Sequence, residues 1–284
     1  MTLDETVNDL QTEAYKHSSA TEKREMLWSA VVATRYKRLP PVRFSLTVTG
    51  IKTLFLSQLR KIYSEDQDVL PKRNKTFHPS GIVAQISLIP DKRHPFTGLF
   101  RTGAIGVIRS SLAMNERFYI PGGALKFFID GQPSRNVPAV PGMDPQKSRD
   151  YFERPLTNII PAPRLLPFGP FWKMASWWMI KISNPLDVSV EALAAAESDG
   201  QRVAHPKSPH KICLMPQVHL SRDTTEDFRS EFGKISAGTM IYSVFGASQN
   251  DSGEWPIHIA DIQTDSEYVA SAFGDRVLAM HHTK

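Results

Sequence analysis

Three side chains of complementary chemistry stand in order in the middle of the chain: His78, Arg109 and Asn136. An imidazole titrates near neutrality, so His78 can take a proton and return it within one reaction cycle. The Asn136 amide offers a donor and an acceptor, which suits holding a small polar ligand against that ring. Arg109 keeps its charge at any ordinary pH and can grip a carboxylate through two parallel hydrogen bonds. Singly, each has an ordinary reading. These are a turn histidine ahead of a strand, an arginine on a solvated strand face, and an asparagine bonding backbone in the turn-rich stretch Ser134-Arg135-Asn136-Val137-Pro138. The chemistry depends on the fold bringing them together.

The elements that would position them follow from periodicity. Residues 3 to 37 read as helices: Leu3, Val7, Leu10 and Ala14 recur at helical spacing, and Ser19-Ala20-Thr21-Glu22 offers an N-terminal cap ahead of Met26, Leu27, Ala30, Val31 and Thr34. Pro40-Pro41 ends this arm, and a second helical piece is predicted from about Ile51 to Ser64. The period then changes to that of strands. The β-branched run Gly81–Ile89 ends at the turn Pro90-Asp91, and Gly103–Ser111 is a second run whose glycines suit a close approach of backbones or of a flat ligand. Ala124–Ile129 is a third, closed by the hairpin signal Asp130-Gly131. Pro133 to Pro170 reads as proline-rich and irregular, and Leu186 to Ala196 as a short helix. Strands return at Ile212–Leu220, Gly238–Phe245, Ile257–Ile262 and Val277–Met280. Strands without alternating βαβ units predict an α+β fold around an antiparallel β-barrel. The expected organisation is a single domain over 1–284: a helical arm (1–75), a first barrel half (76–140), a wrapping segment (141–210) and a second barrel half (211–284).

Composition narrows the field. A chain of 284 residues, 41% hydrophobic and 22% charged, is globular and long enough for a large core. The one cysteine, Cys213, excludes an internal disulfide framework and reads as a small buried hydrophobe. A net charge of +5 and a pI of 9.2 permit attraction to anions, yet there is no RNA-recognition signature, zinc-finger spacing or Lys/Arg-rich block, so no nucleic-acid partner is expected. Dinucleotide, Walker and nucleophile-elbow motifs are missing, and the loop of His205 and His210 lacks further ligands for a metal. The acidic start Met1–Glu5 has no signal pattern, and no apolar run reaches membrane-spanning length, so a cytoplasmic protein is expected. The aromatic stretch Leu165–Ile182 is interrupted by Pro167, Pro170, Lys173 and Lys181. It reads as core packing or, through Trp172, Trp177 and Trp178, as an apolar portal or peripheral membrane contact.

The segment from Phe77 to Asn136 resembles the distal core of the haem-dependent catalase superfamily. Phe77-His78-Pro79-Ser80-Gly81 is similar to its distal-histidine motif, Gly106-Val107-Ile108-Arg109-Ser110 to its second strand, Pro121–Phe127 to its "RGFAVKF" stretch, and Arg135-Asn136 falls where its distal Asn occurs. The resemblance covers roughly a fifth of the chain. It implies a haem cofactor, His78 and Asn136 as catalytic residues, and Arg109, Lys75 and Ser110 on the cofactor, with Arg109 at a propionate. Lys75 stands where the family places an Arg. The proximal Arg-x-x-x-Tyr pattern has no counterpart: Tyr268 is preceded by Thr264 where the Arg belongs. The chain is also shorter than catalases. If iron is bound, its axial ligand must come from an unusual place: His281 or His282 could serve, with Tyr242 and Tyr268 as weaker candidates.

Three functions stay open at this level. One is a small haem protein acting on a peroxide or a lipid or organic hydroperoxide. Another is a haem-free enzyme of the same fold that isomerises, cyclises or eliminates on an apolar metabolite. The last is a lipid- or partner-binding protein without turnover. The oligomeric state is left open.

Overall fold

The computed structural model describes residues 2–43, 68–69, 79–94, 96, 98–114, 118–131, 134–141, 156–157, 211–218, 227–247 and 257–280; within strands, 112–122, 135–141, 156–157, 211–213 and 247 are described by their backbone alone. The predicted helical arm is α1 (Leu3–Leu10), α2 (Glu13–His17) and α3 (Ala20–Ala33). Reciprocal capping boxes start two of these helices. Thr2 and Glu5 close α1, and Ser19 and Glu22 close α3, so orphan N–H groups at both helix starts are satisfied. α3 buries Leu27, Ala30 and Val31.

The strands are β1 (Gly81–Pro90), β2 (Ala104–Met114), β3 (Phe118–Phe128), β4 (Arg135–Pro141), β5 (Leu156–Thr157), β6 (Lys211–Pro216), β7 (Met240–Ala247) and β8 (Ile257–Thr264). Few and short helices accompany them: α4 (Leu99–Thr102), α5 (Phe228–Phe232) and α6 (Ala272–Arg276). The fold is α+β, built on antiparallel pairing. Each strand pairs with the next in chain order, and β8 returns to β1 over Ile86–Pro90. Between β4 and β6 the link among the described residues is the two-residue β5.

Alternation along the strands divides the side chains between two faces. Ile82, Ala84, Ile86 and Leu88 of β1, Ile108 of β2 and Leu125 and Phe127 of β3 join Tyr242, Val244, Ala260 and Ile262 in one cluster, capped by Phe228 and Phe232 of α5. This is the core face. Val83, Val107 and Phe128 stand on the opposite face, where Leu27, Ala30 and Val31 of the arm and Phe273 of α6 cover them. This is the arm face. Because β1 is buried on both sides, it reads as a continuous apolar run and not as an alternation.

Two glycines show why the first strands need them. A Cβ on Gly106 would lie 2.1 Å from the Lys126 carbonyl oxygen, so β2 and β3 approach through a position that tolerates no side chain. Gly131, at φ 66°, takes the left-handed turn of the expected Asp130-Gly131 hairpin between β3 and β4. The same turn docks the arm, since the Ala20 N–H donates to Asp130 Oδ1 at 2.6 Å.

Two expectations change. Arg135–Pro141 is a strand and not irregular; it pairs Gly123–Phe127 of β3 in spite of Pro138 and Pro141. Val277–Met280 is not a strand. It leaves α6 and forms one isolated bridge, Val69 to Leu278, and its apolar run reflects burial of Val277, Leu278 and Ala279 against the arm-face cluster. The helices expected at 51–64 and 186–196 lie outside the described residues.

Candidate functional site

Arg109 shares its face with Val107 and pairs with Val83, so it stands on the arm face. Its side chain is 4% exposed. The guanidinium reaches along the sheet over Gly81: a Cβ there would lie 2.6 Å from Arg109 Cζ. At that point it meets a carboxylate of the chain's own. Arg109 Nη2 donates to Asp275 Oδ1 at 3.1 Å, the Gly81 N–H donates to the same oxygen at 2.8 Å, and the Tyr36 hydroxyl donates to Oδ2 at 3.2 Å. A Cβ on Gly274 would lie 2.9 Å from Val83 Cγ2, so α6 sits tightly on β1 and brings Asp275 to this depth. Burial lowers the guanidinium's pKa, with Asp275 and then Tyr36 opposing part of that shift. Burial, and then Asp275, push the Tyr36 hydroxyl up to about 12.

A second buried ion pair lies on the same face. Lys126, with none of its side chain exposed, donates to Asp68 Oδ1 at 2.7 Å and to Ser134 Oγ at 3.1 Å. The Ser134 hydroxyl donates to Asp68 Oδ1, and the Tyr15 hydroxyl donates to Oδ2 at 2.7 Å. Burial alone would raise the Asp68 carboxyl. The Lys126 ammonium, then the two hydroxyls, hold it below its ordinary value. Each pair is thus completed by a tyrosine from the N-terminal arm.

These positions decide part of the expected site. Asn136 pairs with Lys126, which pairs with Val107 and through it with Gln85 of β1. Arg109 belongs to the neighbouring row on that face, Val83–Arg109–Ala124–Pro138. Its guanidinium extends from that row toward Gly81, away from the row of Asn136. By backbone register, Arg109 and Asn136 thus occupy separate rows, two strands apart. Ser110 is placed differently from Arg109. It follows Arg109 in β2 and pairs with Ile82, so it faces the core while Arg109 faces the arm, and the two cannot line one cofactor surface. His78, Lys75, His281, His282, Trp172, Trp177 and Trp178 lie outside the described residues.

Arg109 does not fit the role of propionate anchor. A cofactor carboxylate would have to displace Asp275 and leave that carboxylate buried without its cation, a change worth about 3–5 kcal/mol in comparable buried pairs. Asp275 already fills the place that the resemblance gives to a propionate. The sequence reading missed Asp275, Asp68 and both arm tyrosines. A buried Arg or Lys demands a carboxylate, but nothing in the linear order says which one.

On the core face, Ser110 is fully buried and Tyr268 is 4% exposed. Neither the Ser110 Oγ nor the Tyr268 hydroxyl makes a hydrogen bond of ordinary geometry among the described residues, although Ser110 lies close enough to the Tyr268 phenol to act on it. Burial, and then the nearby Tyr242, push the Tyr268 phenol well above its ordinary range, with Ser110 opposing, so it stays protonated.

At the β7–β8 side, His258 is held between two carboxylates. Its Nδ1 lies 3.1 Å from Asp91 Oδ2 and its Nε2 lies 3.0 Å from Asp261 Oδ1. Arg93 grips Asp91 at 2.6 Å, and the Ser243 hydroxyl donates to Asp261 at 2.6 Å. Partial burial opposes charge on the ring, but its hydrogen bonds to Asp261 and Asp91 outweigh it and raise the imidazole. Once the ring is protonated both nitrogens donate, one to each carboxylate, an arrangement that suits a clamp better than a general base. The Ser243 hydroxyl faces Asp261 and not the ring, so no nucleophilic triad is formed. Among the described residues no group of three or more His, Cys, Asp or Glu is placed to hold a metal ion. No helix there is long and apolar enough to cross a membrane.

Comparison with models of known protein families gives no match, and neither does comparison with curated protein sequences.

Proposed function

We propose that this chain is a haem-free, catalase-like protein that binds an apolar metabolite and, with His78 as its acid–base group, carries out a non-redox step such as an isomerisation or elimination. One observation carries the choice over a haem oxidoreductase: the Arg109 guanidinium is buried and paired with Asp275, with the Gly81 N–H and the Tyr36 hydroxyl on the same carboxylate. A catalase-like kinship is supported by the order of the four matching segments and by strand pairing that runs in chain order and returns from β8 to β1. The aromatic segment Leu165–Ile182 supports an apolar ligand. The test uses purified full-length protein, assayed for iron and extracted into organic solvent for mass spectrometry. The expected result is an apolar compound released without iron, and loss of its turnover in His78→Ala. Iron–porphyrin recovered in a one-to-one ratio overturns the proposal.

A further inference from the structure

We infer that residues 35–43, where the chain leaves α3, form a docking surface for an anionic lipid bilayer. Charge is unevenly spread along the chain. No Asp or Glu occurs between Glu25 and Glu65, while Arg35, Lys37, Arg38 and Arg43 are followed by three further cations in that interval. The whole chain holds 34 basic and 29 acidic residues, so without these seven it would be acidic. Such segregation marks a surface that meets anions. The fold holds the segment by its backbone: the Tyr36 N–H donates to the Ala270 carbonyl at 3.1 Å, Arg229 donates to the Pro40 carbonyl, and the Arg43 N–H donates to Ser80 Oγ at 2.8 Å. Arg35, Lys37, Arg38 and Arg43 are exposed, and none makes an ion pair among the described residues. The two carboxylates held beside the segment are committed elsewhere, Asp275 to Arg109 and Asp227 to Arg229. Arg276 of α6 adds a fifth charge, since it and Arg43 both act on the Tyr36 hydroxyl.

Apolar side chains decide which anionic partner fits. Five large hydrophobics are well exposed among the described residues, and two of them stand at this surface: Val32 at 47%, in the last turn of α3, and Leu39 at 36%, between Arg38 and Pro40. At a bilayer, aliphatic side chains enter the acyl boundary while Lys and Arg reach the headgroups. A nucleic acid would call for aromatic rings to stack on its bases, and the one aromatic of residues 35–43, Tyr36, is half-buried with its hydroxyl on Asp275. Because the backbone is already pinned, docking has little left to order. A bilayer is also where an apolar metabolite is met, although the surface stands whatever chemistry follows.

The test is co-sedimentation of the full chain with vesicles of phosphatidylcholine alone, and with about 30% phosphatidylserine added, at about 0.1 M salt. Binding is expected on the anionic vesicles only, and should fall steeply at about 0.5 M salt. Lys37→Ala with Arg38→Ala should weaken it about twentyfold, at about fivefold for each cation near the lipid surface. Leu39→Ser should weaken it severalfold without changing the charge. Lys16→Ala with Lys92→Ala removes the same charge away from this surface, Lys16 lying ahead of the other end of α3, and should change binding by less than about twofold. Absence of binding to anionic vesicles overturns the inference. So does equal binding to neutral vesicles, or an equal loss in the Lys16 and Lys92 pair, which would make the attraction a property of net charge. A 20-nucleotide oligonucleotide that displaces the vesicles, and that Leu39→Ser binds as tightly as wild type does, would assign the surface to nucleic acid and overturn it as well.

Discussion

Lys126 carries a full positive charge with none of its side chain in contact with water, and its stability depends on three partners. Asp68 supplies the opposite charge, Ser134 shares the same oxygen, and Tyr15 satisfies the other oxygen from the arm. Removing one ion from such a pair costs more than removing both, because the survivor remains buried. Asp68→Asn is therefore expected to lower unfolding free energy by about 3–5 kcal/mol, measured by urea denaturation. The double variant Lys126→Met with Asp68→Leu should recover most of that loss, and a double variant as unstable as the single would show that the charge itself is required. His258 makes the complementary prediction about pH. Its folded value is raised by Asp261 and Asp91, so the clamp contributes fully below about pH 6.5, the value expected for the unfolded chain, and fades as pH rises through the raised folded value. NMR titration of the ring should show a midpoint above the free imidazole, moved down in Asp261→Asn. A midpoint that stays put would place the cause elsewhere.

At the scale of elements, the arm and the first strand depend on each other through Gly81 and Gly274. Neither glycine takes a left-handed conformation; each is small because another group occupies its side-chain space, the Arg109 guanidinium at Gly81 and Val83 at Gly274. Gly81→Ala is expected to push the guanidinium off Asp275 and cost about 1–3 kcal/mol, the range for overpacking a tight interior. In an Arg109→Met, Asp275→Leu background the same substitution should cost much less. A double-mutant cycle by thermal unfolding measures the coupling, and additivity would contradict the assigned contact. This level is also where the sequence was most legible. The capping box at Ser19 and Glu22, the strand at Gly81, the strand through Arg109 and the turn at Asp130-Gly131 all form as their residue types imply. β4 was hidden by Pro138 and Pro141, which remove ladder donors and mark a stretch as irregular. Val277–Met280 was misread because burial, and not a ladder, sets its apolar character.

For the whole molecule, the spacing of His78, Arg109 and Asn136 in the chain resembles a cofactor site, whereas the register places Arg109 and Asn136 in separate rows and turns the guanidinium away. Facing direction was legible in principle, since Arg109 and Ser110 are adjacent in a strand and must point oppositely. What closed off Arg109 was not legible. Asp275 is 166 residues further along, and only the docking of α6 on β1 brings it beneath the arm. The arm, β1, β2 and α6 thus form one interlocked unit around a neutralised arginine, and the haem-free proposal rests on that unit staying intact. The most direct test is a titration of the purified full chain with haem, followed by visible absorption near 400 nm, roughly the Soret region. The expected result is a spectrum equal to that of free haem, in wild type and in Arg109→Met alike. A saturable one-to-one Soret shift in wild type that Arg109→Met abolishes would contradict it, because the guanidinium would then be serving a cofactor carboxylate and not Asp275.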